Sequence, residues 1–187
     1  MRQRIYGDLF MNRNIIAAVR SSDDFDKALA SGVAIIFDLA PSLTHLKENI
    51  KKAHSHKKKL FIHLDLAEGI GKDKCAVEYL KDIGIDGIIS TRTNIIRYAK
   101  ESELFAVQRF FIVDSHSIDT ATESLKASKA DMAEIMPGII SKAITGIKKR
   151  SDVPLIAGGL IETEEELKIA FSNGVYAVST GKCELWK

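Results

Sequence analysis

The chain has 187 residues, of which 45% are hydrophobic and 28% charged, and its formal net charge is +2. This composition is typical of a globular protein and offers enough chain for one domain with a sizeable core. The near-neutral charge does not by itself indicate a nucleic-acid partner, and the two distant cysteines, Cys75 and Cys183, argue against a disulfide framework or a zinc site.

The first residues, MRQRIYGDLFMNRNIIAAV, interrupt every apolar stretch with charges or Asn and make a poor signal peptide. No uncharged run approaches the roughly 20 residues that a membrane span requires. We therefore expect a cytoplasmic protein that makes no membrane contact and carries no metal.

Eight short apolar runs, rich in β-branched and aromatic residues, predict strands at 15–19, 33–37, 60–64, 86–90, 105–113, 131–136, 154–157 and 175–179. Segments with helical spacing separate them. In the clearest, 163–174, Thr163 has the position of an N-cap and Glu166 follows three residues later. Buried strands alternating with helices indicate a parallel sheet covered on both faces.

Eight units favour a closed (β/α)8 TIM-type barrel over the alternative, an open flavodoxin-like sheet. The chain is short for this fold, for which about 250 residues is typical, so we expect one compact barrel domain over residues 1–187. Only GKCELWK follows the last strand, which predicts a shortened last helix. The segment YGDLF near the N-terminus is a candidate cover for the barrel bottom.

Small residues end the last two predicted strands: Gly158 and Gly159 after the seventh, and Ser179, Thr180 and Gly181 after the eighth. In such barrels the carboxyl ends of these two strands often bind a phosphate. Glycine lets the backbone approach an anion, and free N–H groups bind it. The pattern predicts a phosphate site; the alternative is that both are ordinary tight turns.

Side chains alternate along a strand, so polar residues that share a face with inward apolar ones should point into the barrel. Alternation and strand-end position together give a candidate polar set: Arg20, His63, Asp65, Arg92, Arg109 and Glu134. Two interpretations stay open. The set is either a structural ion-pair network or a polar cup for a small phosphorylated ligand, with arginines taking the charge and carboxylates the hydroxyls.

Catalysis is the weaker interpretation. No lysine lies inside a strand run to form a Schiff base, and the pair His63-x-Asp65 is only half of a metal site. Asp65 and Glu134 could still act as an acid/base pair in an isomerase or epimerase of a phosphosugar or triose phosphate, which is our alternative function.

Two basic clusters precede the third and seventh strands: Lys57, Lys58 and Lys59, then Lys148, Lys149 and Arg150. Both fall at the amino-terminal face of the barrel, where lysines near helix ends are commonly solvated. They are also candidate RNA-phosphate contacts. A continuous patch that joins both clusters would require a homodimer or a wide contact.

Seven segments read AAVRSSDDFDKAL, FIHLDLAEGI, DGIISTR, QRFFIVDS, EIMPGIISKAI, IAGGLIETEEEL and AVSTGKCELW. In this order they resemble the glycerol-3-phosphate-responsive antiterminator family, the regulatory proteins of bacterial glycerol uptake operons. The resemblance covers nearly the whole chain from Asn14 onwards. Asp38, Pro41 and Gly181 depart from the expected pattern, and these departures concern the ligand rim.

The resemblance implies a transcription regulator, not a catalyst. It implies that glycerol 3-phosphate is the effector, that no cofactor is needed, and that the ligand-bound protein binds leader mRNA. The positions that match the family's recurrent polar and glycine residues are Arg20, His63, Asp65, Arg92, Arg109, Glu134, Gly158, Gly159, Ser179 and Thr180.

Overall fold

A closed barrel of eight parallel strands is the framework of the protein. The computed structural model describes residues 14–187. The strands are β1 (Ile15–Val19), β2 (Ile35–Asp38), β3 (Lys59–His63), β4 (Gly87–Ser90), β5 (Phe105–Phe111), β6 (Met132–Met136), β7 (Leu155–Gly158) and β8 (Ala177–Thr180). They hydrogen-bond in chain order, and β8 returns to β1. The predicted (β/α)8 barrel is confirmed, and the open-sheet alternative is wrong.

Seven α-helices cover the barrel within the described residues. They are α1 (Ser22–Ala30), α2 (Leu43–Ser55), α3 (Lys74–Asp82), α4 (Thr93–Glu101), α5 (Ser115–Ser128), α6 (Ser141–Lys148) and α7 (Glu164–Ser172). After β8 there is only a 3-10 turn, Cys183–Leu185, which confirms the shortened last helix. The segment YGDLF lies outside the described residues. No helix among residues 14–187 is long and apolar enough to span a membrane.

Side-chain caps fix where several helices begin, at the carboxyl ends of their preceding strands. Ser21, Asp73, Asp114 and Thr163 each accept a hydrogen bond from a backbone N–H in the first turn of α1, α3, α5 and α7. Thr163 and Glu166 form the predicted reciprocal capping box. Ser21 and Asp114 follow the ends of β1 and β5 by two and three residues, so these two caps also fix short loops at the barrel mouth.

Two apolar cores pack on opposite sides of the strands. The larger joins strands to helices, and the smaller fills the barrel interior with Ile16, Ile35, Phe37, Leu39, Phe61, Ile89, Val107, Met132, Ile156 and Ala177. The rings of Phe37 and Phe61 stack with centroids 5.6 Å apart. Alternation then places polar side chains above this layer, towards the carboxyl ends of the strands.

Trp186 anchors the end of the chain to the barrel wall. It is 1% exposed, and its Nε1 donates a hydrogen bond to the Thr180 carbonyl oxygen at 2.8 Å. Its own carbonyl oxygen accepts from Gly32 N at 3.1 Å. The LW pair near the C-terminus therefore closes the gap that an eighth helix normally covers.

Candidate functional site

A cavity of about 210 Å³ opens at the carboxyl ends of the strands. Six of the predicted site residues line it: Arg20, Arg109, Glu134, Gly159, Ser179 and Gly181. They come from β1, β5, β6, β7 and β8, so one side of the barrel mouth supplies most of the site. The volume suits a small ligand with few heavy atoms.

A buried ion pair forms the floor of this cavity. Arg109 and Glu134 are register neighbours on β5 and β6, and Arg109 Nε donates to Glu134 Oε2 at 2.5 Å. Their side chains are 4% and 1% exposed. Only Nε of the guanidinium has an acceptor among the described residues, although an arginine offers five N–H donors. The predicted inward orientation of both residues is confirmed.

The glycine pair after β7 has two separate structural reasons. A Cβ atom on Gly158 would lie 2.5 Å from Glu134 Oε1 and 2.6 Å from Ser179 Oγ, so no side chain fits there. Gly159 has φ +74°, a left-handed conformation that favours glycine, and it lines the cavity. Contact between these amides and a phosphate stays a prediction.

His63 is a buried imidazole without a hydrogen-bond partner. The residue is 4% exposed, and neither ring nitrogen has a partner among residues 14–187. Burial, followed by the charge of Arg109, lowers the pKa of His63 to about 4, so the ring is neutral. Buried polar atoms are costly unless they are satisfied. His63 therefore offers a donor and an acceptor at the polar layer of the barrel interior.

Asp65 lies outside β3, so the strand alternation on which its predicted orientation rests does not extend to it. β3 ends at His63, and Asp65 lies in a 3-10 turn, Leu64–Leu66. There its carboxylate accepts hydrogen bonds from Ser90 Oγ at 2.7 Å, Thr91 N at 2.7 Å and Thr91 Oγ1 at 2.8 Å. Burial opposes its charge, but these hydrogen bonds outweigh burial and hold the pKa of Asp65 below its usual range.

The remaining predicted mouth residues take supporting positions. Arg92 Nε lies 3.7 Å from Asp65 Oδ1 beside β4. Thr180 Oγ1 donates to the Ile161 carbonyl oxygen at 2.7 Å and accepts from Lys182 N at 3.1 Å. Thr180 therefore ties the loop after β7 to the loop after β8. Neither residue lines the 210 Å³ cavity.

The first basic cluster is less exposed than the sequence indicates. Lys58 is 6% exposed, and its Nζ donates to the carbonyl oxygens of Ser31 at 2.8 Å and Val33 at 2.6 Å. The expectation of a solvated Lys58 is wrong, because its ammonium group caps backbone carbonyls between α1 and β2. Lys59 pairs with Asp86 at 2.7 Å, whereas Lys57 is exposed and has no ion pair among the described residues.

The second basic cluster lies at the end of α6. Lys148 Nζ donates to the Gly174 carbonyl oxygen at 3.1 Å, and Arg150 pairs with Asp119 at 3.2 Å. Lys149 is exposed without an ion pair in the described part of the chain. In each cluster one exposed lysine side chain, that of Lys57 or Lys149, therefore has neither a carboxylate nor a carbonyl partner among residues 14–187.

Sequence reasoning missed Ala18, Asp24, Leu39 and Met136, which also line the cavity. Asp24 lies in the first turn of α1, next to the cap at Ser21. In the sequence an acidic residue at this position indicates only the start of a helix, and nothing marks it as part of a cavity. Within residues 14–187 no group of three His, Cys, Asp or Glu side chains could hold a metal ion.

Comparison with known proteins agrees with this architecture. A family model described as glycerol-3-phosphate responsive antiterminator matches residues 15–186. The chain is 33% identical over 179 residues to the uncharacterised protein YgcP of Escherichia coli K12, covering 95% of this chain and 94% of YgcP.

Two solved structures are similar in both fold and sequence. A glycerol uptake operon antiterminator regulatory protein from Listeria monocytogenes has a TM-score of 0.89 and 35% identity, over 95% of this chain and 96% of that one. A glycerol uptake operon antiterminator-related protein from Thermotoga maritima has a TM-score of 0.83 and 30% identity, over 94% and 99%. Barrel enzymes at 9% to 15% identity share the fold alone. The chain belongs to the glycerol-3-phosphate responsive antiterminator family.

Proposed function

We propose that the protein binds glycerol 3-phosphate in the barrel mouth and, in that state, binds leader mRNA of a glycerol uptake operon to prevent transcript termination. Membership of the antiterminator family supports the regulatory role. The cavity that holds Arg20, Arg109, Glu134, Gly159 and Ser179 together is the observation that carries the ligand assignment. Such a role operates in the cytoplasm, where the transcript is made.

The chemistry of the cavity suits a phosphorylated polyol. Arg20 is exposed and has no ion pair in the described residues, so its guanidinium is available to a phosphate, and the amide of Gly159 adds a backbone donor. Glu134 and Ser179 supply oxygen atoms suited to ligand hydroxyls. His63 does not line the cavity, but its ring is neutral, has no hydrogen-bond partner among residues 14–187, and offers one donor and one acceptor.

The carboxylates favour binding over catalysis. Glu134 already accepts from Arg109 and Ser179, and Asp65 accepts three hydrogen bonds from Ser90 and Thr91. A general base must reach a substrate proton and have a pKa near the working pH, whereas the pKa of Asp65 lies below its usual range. No observation favours the isomerase or epimerase alternative specifically.

Ligand binding can act on RNA affinity only through a difference between two states of the protein. The loops after β7 and β8 both border the cavity and are joined by the Thr180–Ile161 hydrogen bond. A ligand held between Gly159 and Gly181 would order both loops together. This arrangement supports a sensor whose mouth responds to the ligand as a unit.

Calorimetry with glycerol 3-phosphate, glycerol and inorganic phosphate tests the ligand assignment. We expect saturable binding of glycerol 3-phosphate and much weaker binding of the two fragments. Arg20→Gln should weaken glycerol 3-phosphate binding, whereas Arg97→Gln on α4, outside the cavity, should not. Equal binding of phosphate alone would contradict a site for the whole effector.

Binding of leader RNA with and without saturating glycerol 3-phosphate tests the regulatory assignment. We expect a higher RNA affinity with the ligand. An affinity that does not respond to the ligand would refute the coupling. Consumption of glycerol 3-phosphate or a related triose phosphate, lost in Glu134→Gln, would establish the enzymatic alternative instead.

A further inference from the structure

A second and larger cavity lies outside the barrel wall, between α1 and α2. Its volume is about 400 Å³. Residues from the ends of β1 and β2 and from both helices line it, among them Arg20, Phe25, Asp38, His45, Asn49 and Lys52. This α1/α2 groove is not part of the ligand cavity, and none of the functions assigned above uses it.

A buried carboxylate forms one wall of the groove. Asp38 is the last residue of β2, and because its neighbour Phe37 fills the barrel interior, Asp38 faces the helices. The residue is 7% exposed, and the one hydrogen bond of its carboxylate within the described chain comes from Ala40 N to Oδ1 at 3.1 Å. Burial raises the pKa of Asp38. A buried carboxylate with a single partner favours a ligand that brings N–H donors.

The other walls suit a flat heterocycle. Val19 and Phe25 are buried apolar residues that border the groove. The side chains of His45 and Asn49 have no hydrogen-bond partner among residues 14–187, so an imidazole and an amide remain available. Single-stranded RNA is read through unstacked bases whose edges meet such polar groups while their faces pack on apolar or ring surfaces.

Cations along α2 lie next to the groove. Lys52 lines the groove but is paired with Glu48 at 2.8 Å. The exposed lysines of the basic run KKAHSHKKK at 51–59 that have no ion pair among residues 14–187 are Lys51 and Lys57, along and just beyond the same helix. A strand with one base in the groove would therefore place neighbouring phosphates along α2. The cluster at Lys148–Arg150 lies at the end of α6, and none of its residues lines the α1/α2 groove.

Arg20 connects the two cavities. It follows β1 directly, and its side chain borders both the ligand cavity and the α1/α2 groove. One guanidinium cannot bind a phosphate in the barrel mouth and, in the same position, bind a group in the groove. An effector that holds Arg20 in one position therefore sets the shape and charge of the groove.

We propose that the α1/α2 groove binds one unpaired guanine of the RNA, with Asp38 accepting from the N–H groups of its base edge and Arg20 linking the groove to the effector. Guanine is chosen because its edge presents two adjacent N–H donors, which match the two oxygens of a carboxylate. This inference rests on the proposed RNA-binding function and assigns its surface.

Short RNA probes test the groove directly. We would measure binding of the octamers UUUGUUUU, UUUIUUUU with inosine, and UUUUUUUU in the presence of saturating glycerol 3-phosphate. The guanine octamer should bind about 5- to 150-fold more tightly than the uridine octamer, and inosine, which lacks the amino group, should bind in between. Asp38→Asn keeps an oxygen for Ala40 N–H, so it should fold, while its amide removes the guanine preference.

Controls separate this inference from the proposed function. Asp82→Asn, an exposed carboxylate at the end of α3, should keep the guanine preference. If Asp38→Asn, shown by thermal unfolding to be folded, retained the full preference, the groove assignment would be wrong while RNA binding stood. If the unmodified protein bound no leader RNA at any effector concentration, both proposals would fail.

The link through Arg20 has its own readout. With effector saturation confirmed by calorimetry, the guanine octamer should bind the unmodified protein more tightly when glycerol 3-phosphate is present. In Arg20→Gln at saturating effector this response should be lost. If glycerol 3-phosphate raised the octamer affinity of the variant as much as that of the unmodified protein, Arg20 would not mediate the coupling. The groove assignment would then depend on the Asp38→Asn result alone.

Discussion

Glu134 Oε1 and Ser179 Oγ lie 2.5 Å apart, although their strands, β6 and β8, are not neighbours in the barrel. The hydrogen bond passes over β7 at Gly158, where the missing side chain leaves the space it needs. Together with the Arg109–Glu134 pair it links β5, β6 and β8 at the floor of the ligand cavity. The polar floor therefore depends on the absence of a side chain at Gly158.

Replacing Gly158 should break this floor. Gly158→Ala brings a methyl group within 2.5 Å of Glu134 Oε1, and overpacking of this kind costs about 1–3 kcal/mol. We expect lower stability in urea unfolding and weaker effector binding. Gly181→Ala is the matched control for stability, since its added Cβ would meet the Ala18 carbonyl oxygen at 3.5 Å, an ordinary contact. Equal losses of stability in both variants would contradict the steric argument.

Removing the Glu134 charge should be more damaging than removing the Ser179 hydroxyl. Glu134→Gln leaves Arg109 buried without a carboxylate, and breaking a buried pair costs about 3–5 kcal/mol. Ser179→Ala removes one neutral donor to that carboxylate, and a hydrogen bond to a charged group contributes about 1.5–3 kcal/mol. Urea unfolding of both variants at pH 7 measures the order. Similar costs would show that the ion pair contributes little.

His63 should make stability fall at acid pH. In the unfolded chain its pKa is near 6.5, and in the folded protein it is about 4. Between these values the unfolded state binds more protons, so stability is lost as the pH falls from about 6.5 to about 4, by at most about 1.4 kcal/mol per pH unit. Urea unfolding at pH 7 and pH 5 should show a smaller loss in His63→Phe than in the unmodified protein. An identical loss of stability in both proteins would show that titratable groups other than His63 cause the pH dependence.

The salt dependence of RNA binding should separate the exposed lysines from the buried one. Each phosphate contact contributes about 0.7 to the slope of log affinity against log salt for a single strand. Lys57→Gln should lower the slope by about this amount. Lys58→Gln should leave the slope unchanged and lower the stability of the protein, because Lys58 Nζ donates hydrogen bonds to the carbonyl oxygens of Ser31 and Val33. A lowered slope in Lys58→Gln would contradict its structural role.

Much of the barrel follows from local sequence signals. Strand runs such as 15–19 and 105–113 agree with β1 and β5 to within two residues at each end, because a buried parallel strand needs a continuous apolar run. Alternation within a strand oriented His63, Arg109 and Glu134 correctly for the same local reason. The order of eight such units was sufficient to predict closure.

Tertiary structure alone decided where strands stop and which polar groups meet. Strand alternation could not place Asp65, because a 3-10 turn ends β3 at His63 and the partners of that carboxylate, Ser90 and Thr91, lie at the end of another strand. Lys58 was misjudged because its carbonyl partners lie 25 and 27 residues earlier in the chain. The sequence by itself determined the strands and helices, since their periodicity depends on residues close in the chain, and the order of its motifs indicated the family. The shared position of Arg20, the burial of Asp38 and the space over Gly158 depend on residues that only barrel closure brings together.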